Sequence, residues 1–409
     1  MYRLKYYVFF VFTFAISFHV YGQKDLKLLK KANKLAQKYV IVDGHVDLPY
    51  RLKVKNFRLE KEYLGIPYQT TDGDFDYVRA REGGLDAPFM SIFIPSRLQV
   101  DGGAKELADS LINMIEYIAT QQNKYFTIAK SPKDVIKAKK KGKIALPMGM
   151  ENGAPIESDL SRVAYFKNRG ISYITLTHGK DNLICDSSYD TTRTWKGLSP
   201  FGYQVLDEMQ RTGIMVDISH VSDSTYYQTI KYVNVPVIAS HSSCRKFTPG
   251  FERNMSDDMI TKIKGNGGVI MVNFGSTFLD SNIEKYNDSM RTELRNLLVD
   301  KGLDEKSEEG KKFTEAFQKS HPKLYSDVQK VADHIDHIVA LAGIDHVGFG
   351  SDYDGVGDSL PTGLKDVSDF PNLIYELLTR GYSDSDIEKI CSGNVFRVWN
   401  KVLEYSKAI

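Results

Sequence analysis

Eight short, almost uninterrupted apolar runs recur along the chain, at residues 39–46, 89–94, 143–150, 172–177, 214–219, 237–240, 268–274 and 346–350. A strand with one wet face alternates apolar and polar side chains, so runs without alternation belong to strands buried on both faces. Helical spacing falls between them, at 101–124, 159–168, 201–211, 222–232, 256–264 and 328–342. Strands of this kind, each followed by an amphipathic helix, are parallel βαβ units, and eight of them predict a closed (β/α)8 TIM barrel. With 409 residues, 42% hydrophobic and 26% charged, the chain has the material for such a core.

A barrel of this type carries its chemistry at the C-terminal ends of its strands. There the sequence places His45, Asp47, Glu151, His178, His220, His241 and Asp352. In Asp43-Gly44-His45-Val46-Asp47 the histidine and the second carboxylate are two residues apart, so they project to the same side of a strand end. Of the nine histidines, four close predicted barrel strands, and that coincidence weakens the ordinary structural explanation each has alone. His321 lies in a charged segment, His334, His337 and His346 flank the last helix–strand unit, and all four read as structural.

Imidazoles and carboxylates without a thiolate suit zinc. One ion would take His45 and Asp47, a second His220 and His241, with Glu151 bridging. Two close divalent ions supply what amide hydrolysis at neutral pH requires, an activated water and a sink for negative charge.

Two segments depart from the repeat. Residues 51–74 are long for a loop between strand and helix and are expected to form an excursion on the rim. Residues 276–326, dense in Glu, Asp and Lys, are expected to be a solvated helical insertion in an otherwise single domain over 23–409. Cys185, Cys244 and Cys391 form no metal motif; one disulfide with a spare thiol and three buried thiols are both open.

The first 22 residues begin with Arg3 and Lys5, continue with an apolar stretch at 6–18, and reach a small residue at Gly22. This is the pattern of a secretory signal, shorter than the ~20 apolar residues that span a bilayer. Export to the periplasm or cell exterior is expected, with no stable membrane insertion after cleavage. Without Arg3 and Lys5, the 54 basic residues become 52 against 52 acidic ones, and such balance gives no reason to expect a nucleic acid as partner.

The motifs Asp43-Gly44-His45-Val46-Asp47, Gly149-Met150-Glu151-Asn152, Leu176-Thr177-His178, Asp217-Ile218-Ser219-His220, Ser240-His241-Ser242-Ser243 and Gly348-Phe349-Gly350-Ser351-Asp352-Tyr353-Asp354-Gly355 stand together in one order. In that order the chain resembles the membrane (renal) dipeptidase family of zinc hydrolases, peptidase family M19, from residue 25 onward. The resemblance implies a barrel of the metal-dependent hydrolase, amidohydrolase-like type. It further implies two Zn2+ per chain on His45, Asp47, Glu151, His220 and His241, a metal-bridging hydroxide that cleaves the single amide of a dipeptide, and a homodimer. By the same resemblance His178 donates to the oxyanion, Asp352 is the acid/base, and Arg253 holds the substrate carboxylate. Arg245 is the rival for that last role, Asp354 for that of Asp352, and His178 is alternatively a third histidine ligand. Two other functions stay in view: a binuclear amidohydrolase acting on N-acyl amino acids or lactones, and a metal-free homologue that binds peptides. A His-x-His start and a modified-lysine bridge would mark the former, where this chain has His45-Val46-Asp47 and Glu151.

The mass of the mature protein is expected to correspond to cleavage near Gly22. Soluble protein that still begins at Met1 would exclude it.

Overall fold

In the computed structural model of the protein, residues 25–53 and 68–409 are described. The expected signal segment 1–22 lies outside them, as do residues 54–67 of the expected rim excursion. The strands are β1 (Ile41–Val46), β2 (Leu85–Phe93), β3 (Phe126–Ile128), β4 (Ile144–Leu146), β5 (Met148–Glu151), β6 (Ile171–Thr175), β7 (Met215–Asp217), β8 (Ile238–Ala239), β9 (Val269–Val272) and β10 (Val347–Phe349). Eight of them close a barrel in the order β1-β10-β9-β8-β7-β6-β5-β2, every neighbouring pair parallel. The expected (β/α)8 barrel is present.

The run at 143–150 is not one strand. Pro147 has no N–H to give a ladder, and the chain breaks there into β4, which pairs with β3 in a small separate sheet, and β5, which enters the barrel. The Pro147 carbonyl still accepts the Met90 amide of β2 at 2.8 Å, so the break costs the barrel no acceptor. Strand β2 begins at Leu85, ahead of the expected position, because Asp86 and Pro88 interrupt an otherwise apolar pattern.

The seam between first and last strands is short. Its registered pair is Asp43↔Phe349. The Asp43 carboxylate reinforces it by accepting the Ser351 amide at 2.8 Å and the Ser351 hydroxyl. Beyond the strand ends, Asp352 N donates to His45 O at 3.1 Å and Asp47 N to Tyr353 O at 2.8 Å. The two chain segments that carry His45, Asp47 and Asp352 are thereby sewn together.

Beneath the rim, Trp399 of the C-terminal helix Asn394–Ala408 packs 5.2 Å from the Phe89 ring, which packs 5.3 Å from Tyr173. All three rings are buried, each contributing roughly 1.5–3 kcal/mol of apolar burial. Between β9 and helix Val328–Ala342 stand helices Ser281–Asp300 and Glu308–Ser320, whose small apolar contact is Leu294, Leu298 and Phe317. Their remaining surface is charged and wet, as the composition of 276–326 suggests. Cys185, Cys244 and Cys391 are free and buried. No helix among the described residues is long and apolar enough to cross a membrane.

Candidate metal centre

The barrel brings the expected donors to one place. Glu151, the last residue of β5, turns Oε2 toward His45 Nε2 at 3.2 Å, and Oε1 toward His220 Nε2 at 3.0 Å and His241 Nε2 at 3.3 Å. Asp47 Oδ2 lies 3.4 Å from His45 Nε2. His178 Nε2 stands 3.7 Å from Glu151 Oε1, and Asp352 groups with His45 and Asp47. All are buried except His178, whose side chain is 27% exposed.

His45 and His241 are each aimed by their second nitrogen. The Tyr173 hydroxyl donates its proton to Gly44 O at 3.0 Å, so its lone pair accepts from His45 Nδ1–H at 2.9 Å. In the neutral ring, the form that can bind a metal, that leaves the His45 Nε2 lone pair facing the carboxylates. The Ser240 hydroxyl donates to Asp217 Oδ2 at 2.6 Å and so accepts His241 Nδ1–H at 2.7 Å, with the same result. Asp217 is fixed in turn by Thr175 Oγ1 at 2.6 Å and the amides of Ser240 and Ser219 at 2.8 and 3.0 Å. His220 Nδ1 is buried without a partner, and a backbone φ of 67° directs its ring inward.

Two glycines make room. A Cβ on Gly149 would lie 1.9 Å from the Tyr173 ring, and one on Gly355 2.2 Å from both Asp352 Oδ1 and Asp47 Oδ2. Asp352 itself has φ 63°, a left-handed conformation that costs a non-glycine residue on the order of 1 kcal/mol or more, and its Oδ2 accepts Asn273 Nδ2 at 2.8 Å.

The electrostatics call for positive charge. Burial opposes charging His45, but Tyr173, Glu151 and Asp47 outweigh it and hold its pKa well above the ordinary value. His220 and His241 are driven the other way, by burial first and then by Arg253 and neighbouring imidazoles, and stay neutral. Burial would raise Glu151, yet His45, His178 and its close contacts with the His220 and His241 rings hold it well below the carboxylate range. Asp352 is pushed up to about 7, first by burial and then by Asp47 and Glu151, with His45 and Asn273 opposing. His45 Nε2 makes no hydrogen bond although two carboxylates face it. Carboxylates that draw a proton onto His45 and push Asp352 up, beside two neutral imidazoles, make a donor set that fits divalent cations.

The other sequence candidates separate cleanly. Arg253 is buried at the site, with Nη1 on Ser242 Oγ at 2.7 Å and Nη2 on His241 O at 2.7 Å, its Nη2 also 3.1 Å from His220 Nε2. Arg245 is occupied elsewhere, in a two-pronged pair with Asp223 at 2.7 and 2.6 Å. Asp354 accepts the Asp74 amide at 2.7 Å and pairs with Arg51 at 2.8 Å, on the loop rather than in the donor cluster. His334 and His346 bond backbone groups, and His337 pairs with Asp257. Sequence reading gave no role to Tyr173 or Asn273. Tyr173 is one aromatic residue within an apolar run, whereas Asn273, a polar residue following β9, carried a usable signal.

A sequence profile of the family described as membrane dipeptidase (peptidase family M19) matches residues 29–409. The chain belongs to the membrane dipeptidase family. An uncharacterized dipeptidase of Schizosaccharomyces pombe is 32% identical over 381 residues, 88% of this chain and 80% of that protein. Among solved structures, the probable dipeptidase PvdM from Pseudomonas aeruginosa aligns with a TM-score of 0.74 at 26% identity, covering 93% of this chain and 99% of its own. A metallo peptidase from Rhodobacter sphaeroides, liganded with a phosphinate mimic of the dipeptide L-Ala-D-Ala, shares the fold with a TM-score of 0.70 at 21% identity, over 89% of this chain and 99% of that one. As a family member the chain is a metallodipeptidase.

In this dipeptidase, Tyr173→Phe removes the acceptor for His45 Nδ1–H. Metal affinity, measured by chelator competition on the purified variant, is expected to fall about 10–100-fold. Unchanged affinity would show that the Tyr173 hydroxyl does not orient His45 for metal.

Proposed function

We propose that the chain is a zinc-dependent dipeptidase in which His45 and Asp47 hold one Zn2+, His220 and His241 a second, and Glu151 lies between them. The observation that carries this reading is the split of one carboxylate, with one Glu151 oxygen turned to His45 and the other to His220 and His241. Bound there, the two ions supply an activated water and neutralise developing negative charge.

The chain's own groups do the rest. Asp352 Oδ1, left open by the Asn273 contact on Oδ2, takes the proton released as water attacks and returns it to the departing nitrogen. His178, whose pKa is lowered by burial and by Arg253 and His45 against the pull of Glu151 and Asp47, is a neutral N–H donor suited to the oxyanion. Arg253 binds the free carboxylate of the substrate, a role its buried place beside His220 favours over Arg245. Export through cleavage near Gly22 belongs to the same proposal, because the enzyme would then meet dipeptides outside the cytoplasm.

Asp352→Asn keeps size and removes the basic oxygen, so kcat is expected to fall by ~10²–10⁴ while zinc content stays unchanged. His220→Ala is expected to lower zinc content as well as turnover. Zinc stoichiometry beside kcat checks both: zinc lost from Asp352→Asn makes that residue a ligand, and normal turnover removes it from the mechanism.

Arg253→Ala is expected to weaken dipeptides with a free carboxylate by ~1.5–3 kcal/mol and their amides much less. Comparison of KM for the two substrate series decides it, and equal losses would rule out the carboxylate role.

A further inference from the structure

Three aromatic rings form a chain that starts at the anchor Arg253 and ends beside His220. Phe278 lies 5.4 Å from the guanidinium carbon, and Phe251, two residues before Arg253, is 5.8 Å from Phe278. Tyr189, from the loop between β6 and helix Pro200–Thr212, stands 6.0 Å from Phe251 and 5.9 Å from the His220 ring. None of the three is a core ring: Tyr189 is 43% exposed, and Phe251 and Phe278 are half-buried.

The Tyr189 loop is fastened at both ends of the site. Arg193, held at φ 53°, directs one arm of its guanidinium to the Glu252 carboxylate and the other to Ser187 O. The Ser187 hydroxyl in turn donates to the carbonyl of His178. Glu252 sits between Phe251 and Arg253 and is itself fixed, its Oε1 accepting the Asp223 amide at 2.9 Å and its carbonyl accepting Arg245 Nη2 at 3.0 Å. Arg193 therefore joins the segment bearing Tyr189 to the segment bearing Phe251 and Arg253. Arg245, bound to Asp223 and to the carbonyls on either side of Arg253, braces that second segment from behind.

A dipeptide's C-terminal side chain and its carboxylate branch from the same α-carbon. With the carboxylate on Arg253, as proposed above and on which this step rests, that side chain falls among these rings. We infer that Tyr189, Phe251 and Phe278 form the subsite for the C-terminal side chain, and that the enzyme prefers dipeptides ending in a bulky apolar residue of the leucine or phenylalanine kind. Glycine leaves the wall unfilled, and an aspartate side chain would lose hydration against aromatic rings beside Glu252. Arg193 is a positioning residue that holds the two halves of the wall together.

The test uses the zinc-loaded full-length mature protein with Gly-Leu, Gly-Phe, Gly-Gly and Gly-Asp. Gly-Leu and Gly-Phe are expected to exceed Gly-Gly and Gly-Asp in kcat/KM by about 10–100-fold. Tyr189→Ala and Phe251→Ala are each expected to shrink that ratio severalfold. Arg193→Ala is expected to raise KM for Gly-Leu more than it lowers kcat, with partial recovery in Arg193→Lys. Calorimetric titration with the product amino acids is expected to rank leucine above glycine, a reading independent of turnover. Equal kcat/KM across the four substrates, or a ratio intact in both alanine variants, overturns the subsite. Equal cleavage of Gly-Leu and its amide overturns instead the carboxylate reading beneath it, a result distinct from a missing side-chain preference.

Discussion

The site depends on a carboxylate buried where the barrel closes. Asp43 accepts the amides of His45 and Ser351 at 3.1 and 2.8 Å and the Ser351 hydroxyl, so one side chain joins the first strand to the last and fixes the backbone on which His45 sits. Burial pushes its pKa up to about 6, and those hydrogen bonds, with His45 nearby, hold it from rising further. Removing a partner from such a group leaves a buried donor or acceptor unpaired, at about 1–3 kcal/mol each. Asp217 does the same work across β6, β7 and β8, accepting from Thr175, Ser219 and Ser240. Two aspartates outside the donor cluster thus set the spacing of the strand ends.

Positions that bring the donors together are strained or crowded. His220 and Asp352 have positive φ, and Gly149 and Gly355 stand where any Cβ would collide with Tyr173 or with the Asp47–Asp352 pair. Strain of this sort persists only where surrounding packing fixes the backbone. Here the packing is the column from Trp399 through Phe89 to Tyr173, which ends in the hydroxyl that orients His45. Core burial and ligand geometry therefore share one set of side chains.

Strand ends were legible in the sequence because buried parallel strands are short apolar runs, and a polar residue at the end of such a run is conspicuous. That is why His45, Asp47, Glu151, His220, His241 and Asp352 stand out together in the sequence alone. Interruptions within a run were less legible: Pro147 divides one apolar stretch between two sheets, and Pro88 hides the start of β2. Arg253 and Arg245 were alike in the sequence, since both sit on one loop; their difference is tertiary, with Arg245 paired to Asp223 and Arg253 buried beside His220. Tyr173 was illegible for a similar reason, because its contact with His45 spans 128 residues and no local pattern encodes it.

Charge explains why these groups are assembled so tightly around Glu151. Asp47, Glu151 and Asp352 bring three potential negative charges into a buried cluster, and Arg253 returns one positive charge at its edge. Left to themselves the carboxylates repel, which is part of why Asp352 is pushed up to about 7, while Tyr173, Glu151 and Asp47 together draw a proton onto His45. Neutral His220 and His241 bring no charge of their own to offset the excess. A cluster that gathers acceptors faster than it gathers donors is a poor structural core and a good cation site, since like charges are held apart only by what is placed between them. The barrel tolerates that arrangement because Asp43, Asp217 and the aromatic column fix the strand ends independently of it.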